Sequence, residues 1–155
     1  MDCDSVFVDK GTIYIFPESA CLLATNQLGS LVLVEQFRKP RAEYTLEIPG
    51  GVVLPNEKPA ATAIREFEEE TGLKPTGCRF ILTLDLDLST TLHRTHIFSA
   101  DASEPSPNFA AEFKVHYLPP ADALRMVHEG SITHAPTVAA VLAKALDTKI
   151  GATSD

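Results

Sequence analysis

The sequence predicts an α/β fold in which a mixed β-sheet lies between helices. Short runs of β-branched and aromatic residues alternate along the 155-residue chain with three stretches of helical periodicity. One strand run, residues 31–34 with the sequence LVLV, is apolar on both faces, which is typical of a strand covered from both sides. We expect a single domain over residues 1–155, since a chain of this length can bury a substantial core.

Two hairpins are predicted in the N-terminal part of the chain. Residues 5–9 and 12–16 are rich in β-branched and aromatic side chains and are separated by a lysine and a glycine. Residues 20–25 and 31–37 flank the turn-like sequence NQLGS and form the second predicted hairpin.

A basic cluster follows the second hairpin. Arg38, Lys39 and Arg41 surround Pro40, which takes the chain out of regular structure. A guanidinium group can bind a phosphate through two parallel hydrogen bonds, so Arg38 is a candidate clamp for a diphosphate and Arg41 is a second substrate-binding candidate. The alternative is that Arg38 is an ordinary solvated arginine at a strand end.

The next predicted strand has the sequence YTLEIP. Leu46 and Ile48 share one of its faces, and Glu47 takes the other. Glu47 can form an ion pair with Arg38 or Arg41, or it can contact the substrate directly, and these interpretations stay open at the level of sequence.

A helix is predicted between Pro59 and Gly72. Proline is favoured at the first helical position, where its missing N–H has no partner to lose, and glycine is the usual residue just past the end. Ala60, Ile64 and Phe67 fall at i, i+4 and i+7, so they form the predicted buried stripe of this helix.

The same helix carries the candidate metal ligands Glu66, Glu69 and Glu70. These residues stand at i, i+3 and i+4, with Cβ atoms roughly 5–6 Å apart, and their mutual repulsion calls for a cation. Mg²⁺ suits such a set, because it prefers oxygen ligands and is usually completed by waters and substrate phosphates. The Pro-Gly-Gly turn before the helix lets the backbone approach a ligand closely, so the Gly50 carbonyl is a further candidate ligand.

Two strands and a loop are predicted after the helix. Residues 82–88 alternate apolar and polar side chains, and residues 95–100 form another strand-like run. The segment 101–113 is rich in proline and small residues, which predicts a loop. It carries Glu104 and Glu112, and we favour Glu112 as a catalytic carboxylate because it lies nearer the following strand.

The chain closes with a strand at residues 113–118 and helices at residues 120–128 and 136–147. The last helix is expected to bury four apolar side chains, those of Val138, Val141, Leu142 and Ala145. The five histidines show no metal-ligand spacing, so each is expected to be structural or solvated.

Composition excludes several classes of protein. A net charge of −8 argues against a nucleic-acid partner, which would require a surface of lysine and arginine. No apolar run approaches the ~18 residues needed to span a membrane, and the first ten residues lack the basic region of a secretory signal. Three widely spaced cysteines without a CxxC pair predict neither disulfides nor a zinc site, so we expect a cytoplasmic protein.

Residues 51–73 match every fixed position of the Nudix box: a glycine, five residues, Glu57, seven residues, Arg65 and Glu66, an apolar residue, any residue, two glutamates, any residue, a glycine and an apolar residue. At average composition, its seven named residues would coincide by chance on the order of once in 10⁸ starting positions. The chain therefore resembles the Nudix hydrolase superfamily, which implies an α/β/α sandwich. Within it, the flanking sequences EQFRKP and LEIPGG resemble those of the ADP-ribose and nucleotide-sugar pyrophosphatases.

The resemblance implies roles by position. The metals would be held by the Gly50 carbonyl and the three box glutamates, Glu66, Glu69 and Glu70. Arg65 would orient the glutamates with Glu57 as its partner, while Arg38 and Glu47 would face the substrate. Glu69 and Glu112 would be the candidates for taking a proton from the attacking water, which makes Glu69, Glu112 and Arg65 the implied catalytic residues.

The implied reaction is hydrolysis, with Mg²⁺ or Mn²⁺, of the diphosphate bond in a nucleoside diphosphate linked to another moiety. ADP-ribose or a nucleotide sugar would give a nucleoside monophosphate and a sugar phosphate. The subgroup's proline sixteen residues past the box is Ser89 here, which leaves the sugar open. The alternatives are a nucleoside triphosphate or dinucleoside polyphosphate substrate, or a sensor that binds a nucleotide sugar without cleaving it. A homodimer is also implied, with the strands of residues 1–30 in its interface.

Overall fold

The computed structural model describes residues 4–8 and 11–152, which form two β-sheets and three helices. The strands are β1 (Asp4–Val8), β2 (Gly11–Ile15), β3 (Ser19–Asn26), β4 (Leu31–Arg38), β5 (Glu43–Glu47), β6 (Gly50–Val52), β7 (Leu73–Leu84), β8 (Thr91–Leu92), β9 (Thr95–Pro105) and β10 (Lys114–Leu118). The helices are α1 (Pro59–Thr71), α2 (Pro120–His128) and α3 (Ala135–Ala152).

A seven-stranded mixed sheet forms the centre of the molecule, with the strand order β10-β4-β3-β9-β7 and with β5 and β6 paired to β4 and β3. β3 runs parallel to β9 and antiparallel to β4 and β6. A second, three-stranded sheet has the order β1-β2-β8, and β1 and β2 pair antiparallel as the first predicted hairpin requires.

The central sheet is covered on both faces, as the sequence of β4 predicted. Leu31, Val32, Leu33 and Val34 are all fully buried. Val32 packs with α1 residues on one face, whereas Leu31 and Leu33 pack with residues of α2 and α3 on the other. This arrangement confirms the α/β/α sandwich with a mixed sheet between helices.

Helix α1 has the predicted ends but a different buried stripe. It begins at Pro59 and ends at Gly72, whose φ of 66° is the left-handed conformation that favours glycine. Phe67 is fully buried as predicted and Ala60 packs against the same core, but Ala63 is buried in place of Ile64 and the stripe continues to Glu70, which is 6% exposed. The prediction missed Glu70 because it considered only apolar residues.

The strand after α1 begins earlier and ends earlier than the predicted run of residues 82–88. β7 starts at Leu73, directly after the helix, and contains three register shifts against β9. Pro75 and Gly77 interrupt the alternation there, which concealed the strand. Beyond β7, the Asp87 carboxylate accepts hydrogen bonds from the backbone N–H groups of Ser89 and Thr90, so the chain turns instead of continuing as a strand.

The remaining elements differ from expectation mainly in length. β9 continues to Pro105, five residues past its predicted end, whereas β10 and α2 lie where they were predicted. In α3, Val141 is buried as predicted, but the Leu142 side chain is 43% exposed. Cys21 and Cys78 are free thiols, and Cys3 lies outside the described residues. In the part of the chain that the structure describes, the helices are too short or too polar to cross a membrane.

Candidate active site

Two glycines of β6 allow close packing on both sides of its backbone, against β3 at Gly50 and against Glu66 of α1 at Gly51. A Cβ atom on Gly50 would lie 2.5 Å from the Cys21 sulfur, and one on Gly51 would lie within 2.6 Å of both carboxylate oxygens of Glu66. Neither position therefore accepts a side chain. The Glu66 carboxylate is consequently held against the main chain of the Pro-Gly-Gly turn.

Arg65 gathers three carboxylates around one guanidinium group. Its Nε and Nη2 donate to the two oxygens of Glu57 at 3.0 and 3.1 Å. Its Nη1 donates to Glu66 at 2.6 Å and to Glu69 at 3.1 Å. The bonds from Arg65, with a further one from Thr62, lower the pKa of Glu57 to about 2. The structure thus brings together four positions of the box, on two turns of α1 and the loop before it.

Glu70 is the buried carboxylate of the site. Its Oε2 accepts a hydrogen bond from the Gly50 backbone N–H at 3.3 Å, and its Oε1 accepts one from Gln36 Nε2 at 3.0 Å. Burial raises the pKa of Glu70 to about 8, and the negative charges of Glu66 and Glu112 raise it further. The two hydrogen bonds lower this pKa and offset part of the rise. A cation at this position would offset the cost of ionising a buried carboxyl group.

The box residues fit a hard divalent cation by their chemistry. The carboxylates of Glu66, Glu69 and Glu70 and the Gly50 backbone offer only oxygen donors of the type that Mg²⁺ prefers. In the described residues, however, no group of three or more Asp, Glu, His or Cys side chains is arranged to hold a metal. The reason is visible in the contacts, because Glu66 and Glu69 turn to Arg65 while Glu70 turns to Gly50.

A second ion pair lies next to this cluster, on β4 and β5. Arg38 donates from Nε to Glu47 Oε1 at 2.7 Å and from Nη2 to Glu47 Oε2. The Glu47 side chain is 3% exposed, whereas that of Arg38 is 46% exposed. Burial by itself raises the pKa of Glu47, but the bond from Arg38, the charge of His134 and the bond from Thr45 together lower it.

Arg41 does not share this carboxylate. Its Nε donates to Glu43, and both side chains of that pair are about half exposed. Arg41 nevertheless lines the same cavity as Arg38, so the two arginines that the sequence grouped remain on one surface.

Two adjoining cavities connect the ion pair to the box. One of about 450 Å³ is lined by Arg38, Arg41, Glu47 and His134. The other, of about 220 Å³, shares Arg38, Glu47 and His134 and extends to the backbone of Gly50 and Gly51. A ligand can therefore reach from the basic pocket to the glycines of the box, and we refer to both cavities together as the cleft.

The two loop glutamates lie in different places. Glu112 donates its backbone N–H to the Glu69 carbonyl at 3.2 Å, which places it at the C-terminal end of α1. Glu104 instead belongs to β9, opposite Lys74 of β7.

Three polar residues of the site escaped sequence reasoning: Gln36, His134 and Thr137. Gln36 shares a strand face with Arg38, and this period of two was the available signal. His134 lies 3.4 Å from Glu47 Oε2 and contacts Thr137 Oγ1 at 2.8 Å. Thr137 in turn accepts a hydrogen bond from the backbone N–H of Ile48, a contact across 89 residues for which the sequence holds no local signal.

Comparisons with known proteins identify the family of this chain and several of its relatives. The family model of the NUDIX domain matches residues 16–141. The chain is 43% identical over 63 residues to the ADP-ribose pyrophosphatase of Bacillus subtilis (strain 168), covering 41% of this chain and 34% of the relative. It is 35% identical over 131 residues to the ADP-sugar pyrophosphatase of Mus musculus, covering 77% of this chain and 59% of the relative. The matched region thus spans less than two thirds of either protein's length.

A solved structure described as an ADP compounds hydrolase has the same fold. It superposes with a TM-score of 0.75 and covers 96% of this chain and 92% of its own. The two sequences are 16% identical, so this likeness speaks for the fold.

Proposed function

Since the chain belongs to the NUDIX domain family, we propose that it hydrolyses the diphosphate bond of ADP-ribose or a nucleotide sugar, with Mg²⁺ or Mn²⁺ as its cofactor. It is a Nudix hydrolase related to ADP-ribose and nucleotide-sugar pyrophosphatases. The products of the proposed reaction are a nucleoside monophosphate and a sugar phosphate.

One observation carries the proposal: Glu70 and Glu66 lie against the backbone of Gly50 and Gly51, and these two glycines line the same cavity as Arg38. A carboxylate cluster alone would repel a diphosphate, and an arginine alone would bind many anions. Together they suit a doubly charged diphosphate bridged to a divalent cation.

The metal would be held by Glu66, Glu69, Glu70 and the Gly50 carbonyl. When bound, it would neutralise the phosphate oxygens and lower the pKa of a coordinated water. Arg65 positions Glu66 and Glu69 through one nitrogen atom, and Glu57 fixes Arg65 by a two-point contact. These contacts hold the carboxylates near one another, and the carboxylates would turn from Arg65 and Gly50 towards the cation when it binds.

The substrate would lie along the cleft. Arg38 is half-exposed and is fixed in orientation by the buried Glu47, so its free N–H groups can donate to a phosphate without a large loss of side-chain entropy. Arg41 adds a second positive charge on the same surface. Glu47 acts through Arg38 and stands close enough to the cleft to contact the substrate directly.

A carboxylate would take a proton from the attacking water. Glu112 is the proposed base, supported by its backbone contact to the end of α1, and Glu69 is the alternative within the box. General-base catalysis by such a group typically contributes ~10²–10⁴-fold to the rate.

The test is product identification from a panel that contains ADP-ribose, several nucleotide sugars, diadenosine polyphosphates and nucleoside triphosphates, each with Mg²⁺ and with EDTA. The proposal requires metal-dependent release of a nucleoside monophosphate from a diphosphate-linked sugar. Release of pyrophosphate from triphosphates would instead favour a triphosphate hydrolase. Tight nucleotide-sugar binding without turnover would favour the sensor.

Two wider expectations belong to the same proposal. A homodimer through the strands of residues 1–30 is supported by the aromatic side chains of Tyr14 and Phe16 in that region, which are 44% and 36% exposed. Light scattering after size exclusion measures the mass directly. A cytoplasmic location is supported by the free thiols of Cys21 and Cys78, which are typical of a reducing compartment.

A further inference from the structure

A cluster of three polar side chains lies in the wall of the cleft, apart from the box and the Arg38 ion pair. It consists of Ser19, His93 and Thr95. Ser19 Oγ lies 2.8 Å from Thr95 Oγ1 and 3.3 Å from His93 Nε2, and that nitrogen is 3.2 Å from Thr95 Oγ1. All three residues line the cavity of about 220 Å³ that reaches Gly50 and Gly51.

The tautomer of His93 follows from its other contact. His93 Nδ1 lies 2.7 Å from the Pro17 carbonyl oxygen, and because a carbonyl can only accept, Nδ1 carries the proton. In the neutral ring, Nε2 is therefore an acceptor, and it receives one of the two hydroxyl protons beside it. The ring is further held by an edge-on contact with Phe16, at a centroid distance of 6.3 Å.

The positions of the two hydroxyl protons determine which chemical group the cluster can bind. One hydroxyl proton goes to His93 Nε2 and the other lies between the Ser19 and Thr95 oxygens. Of the two hydroxyl groups, that of Thr95 belongs to a residue that is 2% exposed, so the hydroxyl of the half-buried Ser19 is the one that a ligand can reach. With its proton engaged, the Ser19 oxygen presents lone pairs to the cleft, and it suits a neutral hydrogen-bond donor better than an anion.

The position of Ser19 indicates which part of a substrate it meets. Ser19 and Cys21 lie on one face of β3, about 7 Å apart along the strand. Cys21 pairs in register with Gly50 and Ser19 with Val52, so Ser19 stands roughly the width of one sugar ring from the Gly50 backbone along the strand. In a nucleoside diphosphate derivative, the groups attached directly to the diphosphate are sugars, so a sugar is the part of the substrate that lies at this distance from the box.

We infer that Ser19, held by His93 and Thr95, is a specificity-determining residue that accepts a hydrogen bond from a hydroxyl of the sugar next to the diphosphate. This inference rests on the proposed function and deepens it. A half-buried acceptor left without its donor disfavours an analogue that lacks the hydroxyl, so the cluster selects substrates that carry a hydroxyl at this position.

The experiment compares wild type with Ser19→Ala on three substrates. They are ADP-ribose, its analogue with 2′,3′-dideoxyribose on the nucleoside side, and an ADP ester of a simple alkyl alcohol. Ser19→Ala should raise KM for ADP-ribose about five- to tenfold with kcat within about twofold, the size expected for one hydrogen bond. The effect should vanish on one analogue, which identifies the contacted sugar. An equal effect on all three substrates, or none on ADP-ribose, overturns the inference.

Matched variants separate this role from a structural one. His93→Gln should reproduce the substrate-dependent change, and Ser19→Thr, which keeps the hydroxyl, should restore KM to within about twofold. His96→Gln is the control, since that ring contacts Thr83 and Glu18 and lies outside the lining of the cleft. If His96→Gln behaves like His93→Gln, the effect is structural and the inference fails.

Failure of the proposed function gives a different result. In that case wild type cleaves none of the three compounds, and calorimetric titration with ADP-ribose in Mg²⁺ replaces the kinetic assay. The inference then requires a Kd about five- to tenfold weaker for Ser19→Ala than for wild type. Equal Kd values, or no binding by wild type, overturn it.

Discussion

Arg65 holds Glu57 through two parallel hydrogen bonds, from Nε at 3.0 Å and from Nη2 at 3.1 Å, and leaves Nη1 for Glu66 and Glu69. Only a guanidinium group can make this set of contacts, because its donors are fixed in a planar fork. The position of two proposed metal ligands therefore depends on a residue that need not touch the metal itself.

Arg65→Lys should lower kcat/KM about 10- to 100-fold and raise the Mg²⁺ concentration needed for half-maximal rate, as loss of an outer-shell contact commonly does. Steady-state kinetics with a Mg²⁺ titration measures both effects. The matched control is Arg125→Lys, an arginine of α2 that bridges Asp122 and Glu129 on the exposed surface. Similar losses in the two variants would contradict the assigned role of Arg65.

Glu70→Gln should abolish most of the activity without lowering the stability of the metal-free protein. The carboxylate is 6% exposed and lies near Glu66 and Glu112, so a neutral amide of the same shape removes an unfavourable buried charge. We expect the metal-free variant to be at least as stable as wild type at pH 8 in urea denaturation, and its hydrolysis rate to fall about 100-fold or more. Destabilisation together with full activity at saturating Mg²⁺ would remove Glu70 from the metal site.

Glu69→Gln provides the comparison within the box. This residue is about one third exposed and contacts Arg65, so its loss should reduce the rate without the gain in stability expected for Glu70→Gln. Unchanged hydrolysis in both variants would refute the metal assignment as a whole.

The parts of the fold that were predictable have local causes. β4 is apolar on both faces because helices cover both sides of it, and α1 ends where Pro59 and Gly72 place it. β7 was misplaced because Pro75 and Gly77 break the alternation, and the strand tolerates them through register shifts against β9. Pairing with a distant strand overrode the local pattern.

The residues of the site also fall into two groups, those predictable from local spacing and those placed by contacts between distant parts of the chain. The box residues could be grouped from sequence because helical spacing puts them on adjacent turns. Gln36 reaches Glu70 across 34 residues, and Thr137 reaches Ile48 across 89 residues. The period of two could place Gln36 on the face of Arg38, but the partners of Gln36 and Thr137 depend on how β4 and α3 pack against the rest of the molecule.

The Arg38–Glu47 pair should contribute measurably to stability. Removing Arg38 leaves a carboxylate that is 3% exposed without its main partner. Because the Arg38 side chain is itself 46% exposed, we expect Arg38→Ala to lower the free energy of unfolding by about 1–3 kcal/mol, less than for a fully buried pair. Urea denaturation measures the change.

Arg41→Ala is the control for that measurement, since the Arg41–Glu43 pair is solvated and should contribute less than about 0.5 kcal/mol. Adding Glu47→Gln to Arg38→Ala should recover part of the loss, because the unpaired buried charge is then gone. Equal decreases in the free energy of unfolding for Arg38→Ala and Arg41→Ala would show that the buried pair stabilises the fold no more than the exposed pair does.

His134 should make folding stability depend on pH. Burial lowers the pKa of its imidazole, with Arg38 adding to the effect and Glu47 opposing it. An unfolded histidine has a pKa of about 6.5. Below that pH the unfolded chain binds a proton at His134, whereas the folded protein keeps this imidazole neutral, so the free energy of unfolding falls as pH falls. The stability difference between wild type and His134→Gln should therefore be smaller at pH 5.5 than at pH 7.5. A difference that stays constant or grows at pH 5.5 would contradict the direction of this shift.

The choice between the two loop glutamates follows from where their backbones lie. Glu112 is tied to the Glu69 carbonyl at the end of α1, and its charge contributes to the raised pKa of Glu70, whereas Glu104 pairs with Lys74 within the β7–β9 ladder. Glu112→Gln should therefore lower kcat about 100-fold or more with KM little changed, and Glu104→Gln should stay within about twofold of wild type. Single-turnover kinetics at saturating Mg²⁺ isolates the hydrolytic step from product release. The reverse ranking would assign the base to β9, and two fully active variants would assign it to the box, with Glu69 as the remaining candidate.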